Sequence, residues 1–214
     1  MKLFKIIFFV VFTTQSIQSI AMTPDERKKL FQDSIQRLKK SGIEKRAPLF
    51  GEIFPDIRLG NKKISEWTTS GPLLLIVYRG GWCPYCIKQL KEIQTKHELL
   101  LAKKITVIAI SPETSNEVKK TASRNGLSFK LVSDKDGEVL RKLGLVFRVE
   151  DSIADEYKSL GIDLAASQGN KKQELPIPAT YLFGNDMKVK FAHIDSNYTV
   201  RPSLEEILKA IDGF

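Results

Sequence analysis

The 214 residues contain two cysteines, two histidines and two tryptophans. So small a supply of sulfur excludes a multiply disulfide-stapled scaffold. A structural zinc site needs four ligands. Only His97 and His193 could join the cysteines, and they stand 96 positions apart without finger-like spacing. No internal repeat or low-complexity segment is present, which leaves an ordinary globular chain. Beyond the first 21 residues no stretch is apolar enough to cross a bilayer, which takes ~20 apolar residues. Nor is there a block of one charge. The formal net charge of +9 comes from 34 basic and 25 acidic residues, with pairs such as Lys103-Lys104, Lys119-Lys120 and Lys171-Lys172 near acidic neighbours. Such scatter reads as a solvated basic surface and not as a nucleic-acid track.

The chain opens MKLFKIIFFVVFTTQSIQSIA. Lys2 and Lys5, an apolar run from Ile6 to Phe12 and small residues ending at Ala21 read as a secretory leader cleaved after Ala21. Thr13 to Ser19 is too polar for a membrane anchor. The mature chain is then expected to be exported to the periplasm, with 193 residues, a charge of about +7 once Lys2 and Lys5 leave, and no stable membrane association. The expected division is a leader at 1–21, an N-terminal helix and linker at 22–50 and one domain at 51–214.

Thr23-Pro24-Asp25-Glu26 is a capping box with proline in the first turn. It predicts a helix to about Lys40, stopped by Gly42, whose stripe Leu30, Phe31, Ile35 and Leu38 packs on the domain. A short hairpin is expected at Gly60-Asn61. "PLLLIVY" (72–78), "ITVIAIS" (105–111) and "FKLVSD" (129–134) read as strands, the first two fully buried. Helices are predicted from Pro84 to Lys103, over 115–126 and over 137–144. Residues 145–176 read as a partly helical insertion. "ATYLFGNDMKVKFAHID" reads as two strands joined at Gly184 to Met187, and Ser203-Leu204-Glu205-Glu206 opens a last helix. The order predicts an α/β fold with a central mixed sheet flanked by helices.

Both cysteines fall in "YRGGWCPYCIKQL" (78–90). Cys83 precedes a helix that Pro84 begins, where the helix dipole and free N–H groups favour a thiolate. Cys86, one turn inside, can form a disulfide with it and is less exposed. A permanent staple would close too short a loop to stabilise the chain much. His97 sits on the apolar stripe of its helix and His193 in a strand, so packing accounts for both. Arg79, four residues before Cys83, could lower its pKa by proximity. Trp82 is expected to flank the pair and limit water, with Tyr85 on the exposed rim. In "ELPIPATYLF" a proline directly before a strand is either an ordinary loop proline or a cis Ile177-Pro178 bond. In the second case its backbone would face the cysteines and offer Ile177 to a substrate. Phe147, Tyr157 and Leu160 of the insertion either wall that cleft or decorate the periphery.

Taken together, W-C-P-Y-C at the start of a helix and a distant I-P-A-T before a hairpin resemble the thioredoxin-like superfamily. "VYRGGWCPYCIKQL", "VIAISPET", "LGLVF", "GIDL", "LPIPATYLF" and "FAHIDSNYTVRPSLEEIL" resemble the redoxins of the alkyl hydroperoxide reductase and thiol-specific antioxidant family, over residues 25 to 212. The resemblance implies a thioredoxin-like fold and a thiol peroxidase without cofactor or metal. Cys83 would attack the peroxide and Cys86 would resolve the product. It also implies a thioredoxin-like or other thiol reductant as partner. The peroxiredoxin pattern, however, has proline seven residues before the cysteine and Thr or Ser three before, where this chain has Ile76 and Gly80. The later arginine of that pattern falls near Ile177-Pro178, which carries no charge; Arg79 and Arg148 are the cations left to consider. Cys-Pro-Tyr-Cys is a glutaredoxin-like dithiol and Pro178 matches the cis-proline position of thioredoxins. Thiol–disulfide exchange on exported proteins is therefore the alternative.

Overall fold

The computed structural model describes residues 22–213; the expected leader, 1–21, lies outside them. The Thr23 hydroxyl and the Glu26 carboxylate bond each other's backbone N–H to open α1 (Pro24–Lys40), which ends before Gly42 as expected. A hairpin follows, β1 (Arg58–Leu59) and β2 (Lys62–Lys63), turning on Gly60 with φ +67°. After the short α2 (Ile64–Trp67), the apolar run folds as β3 (Leu73–Val77), every residue of it buried. The 84–103 region, β4 (Thr106–Ser111), α5 (Ser115–Asn125), β5 (Lys130–Ser133) and α6 (Glu138–Lys142) come next.

The helix expected from Pro84 to Lys103 is two helices, α3 (Pro84–Gln94) and α4 (His97–Ala102). Lys96 leaves the helical region at φ −116°, and the Thr95 hydroxyl donates to the Glu92 carbonyl at 2.7 Å. The break lets His97 Nδ1 meet Ser128 Oγ at 2.8 Å while Gln94 holds the same serine. It also rotates the apolar face, so Leu100 is buried and Leu101 is exposed.

The insertion contains β6 (Val146–Arg148), α7 (Asp151–Ser159), α8 (Leu164–Gln168) and β7 (Glu174–Pro176), with β6 and β7 paired antiparallel. Val149, Ile153, Tyr157, Leu164 and Leu175 form its own small core, on which Leu30 and Phe31 of α1 pack. The predicted closing hairpin is β8 (Ala179–Phe183) and β9 (Val189–Ile194), and the Ser203 capping box opens α9 (Leu204–Asp212).

The main sheet has the order β5-β4-β3-β8-β9, with β3, β4 and β5 parallel and β8 and β9 antiparallel. Because β3 is central, its alternate residues face two separate cores. Leu73, Leu75 and Val77 join Ile108, Ile110, Ile177, Tyr181 and Phe183. Leu74, Ile76 and Tyr78 join Leu90, Ile93, Ile207 and both cysteines. The dithiol therefore sits at the C-terminal end of the central strand, on one named face of it. Among the described residues no helix is long and apolar enough to cross a membrane.

Two substitutions separate packing from polarity in these cores. Ile76→Ala, at a fully buried site, should cost about 2–5 kcal/mol in denaturant unfolding. Tyr181→Phe should cost under about 1 kcal/mol, because the buried Tyr181 hydroxyl has no protein partner to lose.

Candidate active site around Cys83 and Cys86

Two glycines shape the loop between β3 and α3. At Gly80, with φ +155°, a Cβ would lie 2.3 Å from the Trp82 ring nitrogen. At Gly81 a Cβ would lie 2.0 Å from Thr121 Oγ1. Side chains would push the indole and α5 away from the cysteine loop. The Gly81 N–H donates to Glu113 Oε2 at 2.9 Å. That carboxylate also accepts from Ser111 and Ser167 at 3.3 and 3.1 Å. Burial raises the Glu113 pKa despite these donors. The carboxylate thus ties the loop to the end of β4 and to α8, a role with no signal in local sequence.

Cys83 is the N-cap of α3 with extended backbone, and Pro84 occupies the first helical position. No side chain caps the helix there, so free N–H groups of the first turn remain near Cys83. Both thiols are free and nearly inaccessible, Cys83 at 1% and Cys86 at 0% exposure. Their acidities diverge. The Cys86 thiol donates to Cys83, and Arg79, the Cys86 N–H and Arg201 add to that against the opposing cost of burial; the Cys83 pKa falls to about 6. Burial and the neighbouring Cys83 charge push Cys86 well up. The pair holds one thiolate and one thiol at neutral pH.

Arg79 is itself buried, at 3% exposure. Burial opposes its charge, but the Tyr157 phenol and the two thiols outweigh that cost and hold the guanidinium protonated. It donates to the Tyr157 hydroxyl. Its guanidinium carbon lies 5.0, 5.5 and 4.3 Å from the ring centres of Trp82, Tyr157 and Tyr198. Rings in this position attract a cation through their quadrupoles. Its backbone N–H also points to Cys86 Sγ at 3.5 Å. A second cation is Arg201, whose Nη2 lies 3.1 Å from Cys86 Sγ.

The structure therefore gathers Arg79, Trp82, Cys83, Pro84, Tyr85 and Cys86. Tyr85 is 43% exposed on the rim, edge-on to Tyr198 at 6.0 Å. Arg148 is exposed and paired with Asp151. Tyr157 does reach the site, whereas Leu160 is exposed. At 177–178 the backbone takes the ordinary, non-cis form. No peptide bond among the described residues is cis, so Ile177-Pro178 is trans. The Ile177 N–H is taken by the Leu145 carbonyl at 2.9 Å, and its side chain lies in the core on the face of the sheet opposite the cysteines. Pro178 is buried beside it. The insertion supplies the strand that consumes this edge, which local sequence could not reveal. His97 packs edge-on against Phe129, and no group of three or more potential metal ligands occurs among the described residues. Arg201 and Glu113 are the site-contacting residues that sequence reasoning did not single out. The block containing Arg201 was legible as a motif, but its contact with a sulfur 115 positions earlier was not.

The electrostatics give a pH-dependent expectation. Thiolate absorbance of the reduced protein should titrate with a first midpoint near 6. Arg79→Met should move that midpoint upward and Arg201→Ala should move it less; an unmoved midpoint in Arg79→Met would remove Arg79 from thiolate stabilisation. Because the folded-state value is depressed below the ordinary 9.0, the stabilisation is complete above pH 9 and is lost as pH falls through 6. Unfolding of the reduced protein against Cys83→Ser across that window measures it.

The AhpC/TSA family matches residues 43–192 of this chain. The thiol-disulfide oxidoreductase ResA of Bacillus cereus is 25% identical over 183 residues, covering 85% of this chain and 86% of that protein. A putative peroxiredoxin bcp of Buchnera aphidicola is 33% identical over 100 residues, covering 44% of this chain and 63% of that protein. Among solved structures, PrxQ of Xylella fastidiosa superposes with a TM-score of 0.59 at 16% identity, over 78% of this chain and 96% of that one. Peroxidoxin BcpB of Mycobacterium tuberculosis gives 0.58 at 16% identity, over 77% and 95%. These likenesses carry the fold: a thioredoxin-like mixed sheet with an added N-terminal helix. With the family matched across most of the chain and a close cysteine pair at the head of α3, this chain belongs to the AhpC/TSA family of thiol oxidoreductases.

Proposed function

We propose that this protein is a thiol–disulfide oxidoreductase that acts on disulfides of exported proteins through Cys83 and Cys86. The observation that carries the reading is the split acidity of the dithiol: a thiolate at the helix N-cap and a buried thiol one turn behind it. The Cys83 thiolate attacks one sulfur of a substrate disulfide, and the departing sulfur leaves as a thiolate that takes up a proton. A mixed disulfide between Cys83 and the substrate results. Cys86 then gives up its proton and attacks Cys83 Sγ, expelling the second substrate thiolate. Two electrons pass to the substrate, and Cys83–Cys86 becomes a disulfide that a thiol reductant reopens. Arg201 beside Cys86 Sγ stabilises the charge that develops there in the second step.

Two further observations favour exchange over peroxide reduction. A peroxidatic site needs a hydroxyl to orient the peroxide, and Gly80 occupies the position where the peroxiredoxin pattern places it. The similarity to the ResA protein also extends over nearly the whole chain, whereas that to the Buchnera peroxiredoxin spans less than half. The second reading, peroxide reduction with a sulfenic acid on Cys83, is favoured by the higher local identity to that peroxiredoxin. Tyr85, exposed beside the buried sulfurs, gives an incoming disulfide an aromatic surface to lie on.

Stopped-flow tryptophan fluorescence of the reduced mature protein, mixed with oxidised glutathione, a model protein disulfide or hydrogen peroxide, distinguishes the two. Exchange predicts fast reaction with a disulfide, a trapped mixed disulfide in Cys86→Ser, and no reaction in Cys83→Ser. It also predicts peroxide oxidation no faster than that of a simple thiolate of equal pKa. Peroxide oxidation orders of magnitude faster than that, with slow disulfide exchange, would replace this reading by the peroxidase.

A further inference from the structure

A cavity of about 140 Å³ lies between α1 and the insertion, and Arg79 lines it. Part of its wall is apolar, with Phe31, Ile35 and Leu38 of α1 facing Phe147, Val149 and Ile153, and Glu150 lines it too. Arg37 and Arg148 also line it, but each is matched by an acid. Arg37 makes two bonds to Glu150, at 2.8 and 2.7 Å, and Arg148 meets Asp151 at 2.8 Å. Arg79 is different. Its guanidinium donates to the Tyr157 phenol, and among the described residues no carboxylate pairs with it. In the disulfide form, where Cys83 carries no charge, this buried cation has no anion beside it, which is costly unless something compensates it.

We propose that this cavity binds a small molecule with an apolar body and one carboxylate, the carboxylate pairing with Arg79. An apolar cavity of ~150 Å³ accepts a benzene ring, so this one suits a body of benzoate size. A guanidinium offers parallel N–H donors that match a carboxylate better than a spherical anion. The charges complement as well, because Arg79 is the lining cation that no acid neutralises. The inference does not depend on which substrate the dithiol reduces.

Arg79 is shared between this cavity and the sulfurs, and this links the two. The groups around the guanidinium are the phenols Tyr157 and Tyr198, the Trp82 indole and the thiols Cys83 and Cys86. A carboxylate bound to Arg79 satisfies the charge that otherwise favours the Cys83 thiolate. Ligand and thiolate therefore oppose each other, and by reciprocity the thiolate weakens the ligand to the same degree. The disulfide form, which carries no thiolate, is the tighter binder.

Calorimetric titration with benzoate tests this, with benzyl alcohol as the uncharged analogue and inorganic phosphate as an anion without an apolar body. The oxidised protein should bind benzoate at least tenfold more tightly than either control, and more tightly than the reduced protein does at pH 8. Arg79→Gln should weaken benzoate tenfold or more. Ser34→Phe, which fills the cavity from a half-buried helical position, should do the same without disturbing the cation. In the reduced protein, saturating benzoate should raise the thiolate midpoint. Absence of benzoate binding, equal binding of benzyl alcohol, or unchanged affinity in folded Arg79→Gln or Ser34→Phe would overturn the assignment. Disulfide-exchange rates measured without benzoate report on the dithiol reading separately.

Discussion

The pairing of the Arg79 guanidinium with the Cys83 sulfur is the interaction around which the site is organised. A guanidinium cannot shed its proton to escape burial, so its surroundings must accommodate the charge. Here they do so with three aromatic faces, one phenol oxygen and two sulfurs. Cation–ring contacts contribute about 0.5–2 kcal/mol each, depending on desolvation. None of these groups is a full anion until a cysteine ionises. The folded chain is therefore built around a positive charge that the Cys83 thiolate completes, and the low pKa of Cys83 and the burial of Arg79 are two aspects of one arrangement.

The geometry follows from the central strand. β3 delivers Arg79 and Cys83 from its C-terminal end while β4 and β8 pair with its two edges and the two cores bury its faces. Glu113, reaching from the end of β4, then fixes Gly81 by its N–H. The loop carrying the cysteines is held by a backbone bond to one neighbouring segment and by indole and α5 packing against bare glycines. α1 is anchored separately: Arg27 pairs with Glu156 and Arg37 with Glu150, both on or beside α7. Phe31 stacks on Tyr157 at 5.5 Å, so the N-terminal helix reaches the arginine cage through one ring.

What could be read from sequence was what depends on neighbours in the chain. The capping boxes at Thr23 and Ser203, the apolar runs of β3 and β4, the turn at Gly60 and the placement of Cys83 before Pro84 are all local, and each formed as expected. The break at Lys96 was hidden because Leu90, Ile93 and His97 still recur at helical spacing; the interaction that breaks the helix comes from Ser128, on another element. The same holds for the site. Cys83, Cys86 and Arg79 were visible in one short motif. Glu113 and Arg201 were not, since their partners stand 32 and 115 positions away. Pro178 stayed open between two readings for a related reason: a proline before a strand carries no mark of Leu145, just ahead of β6, whose carbonyl takes up the Ile177 N–H.

The stretch that the AhpC/TSA family matches ends at residue 192 and begins at 43. Tyr198 and Arg201 lie beyond one end, and Phe31, Ser34 and Arg37 before the other. The shared scaffold thus supplies the sulfurs and the sheet, while the groups that adjust the Cys86 sulfur and enclose Arg79 come partly from the two flanking segments. Such a division makes the couple adjustable from its margins. Changes at half-buried flanking positions such as Tyr198 and Arg201 can retune the charge around the sulfurs and leave the residues of the sheet core unaltered.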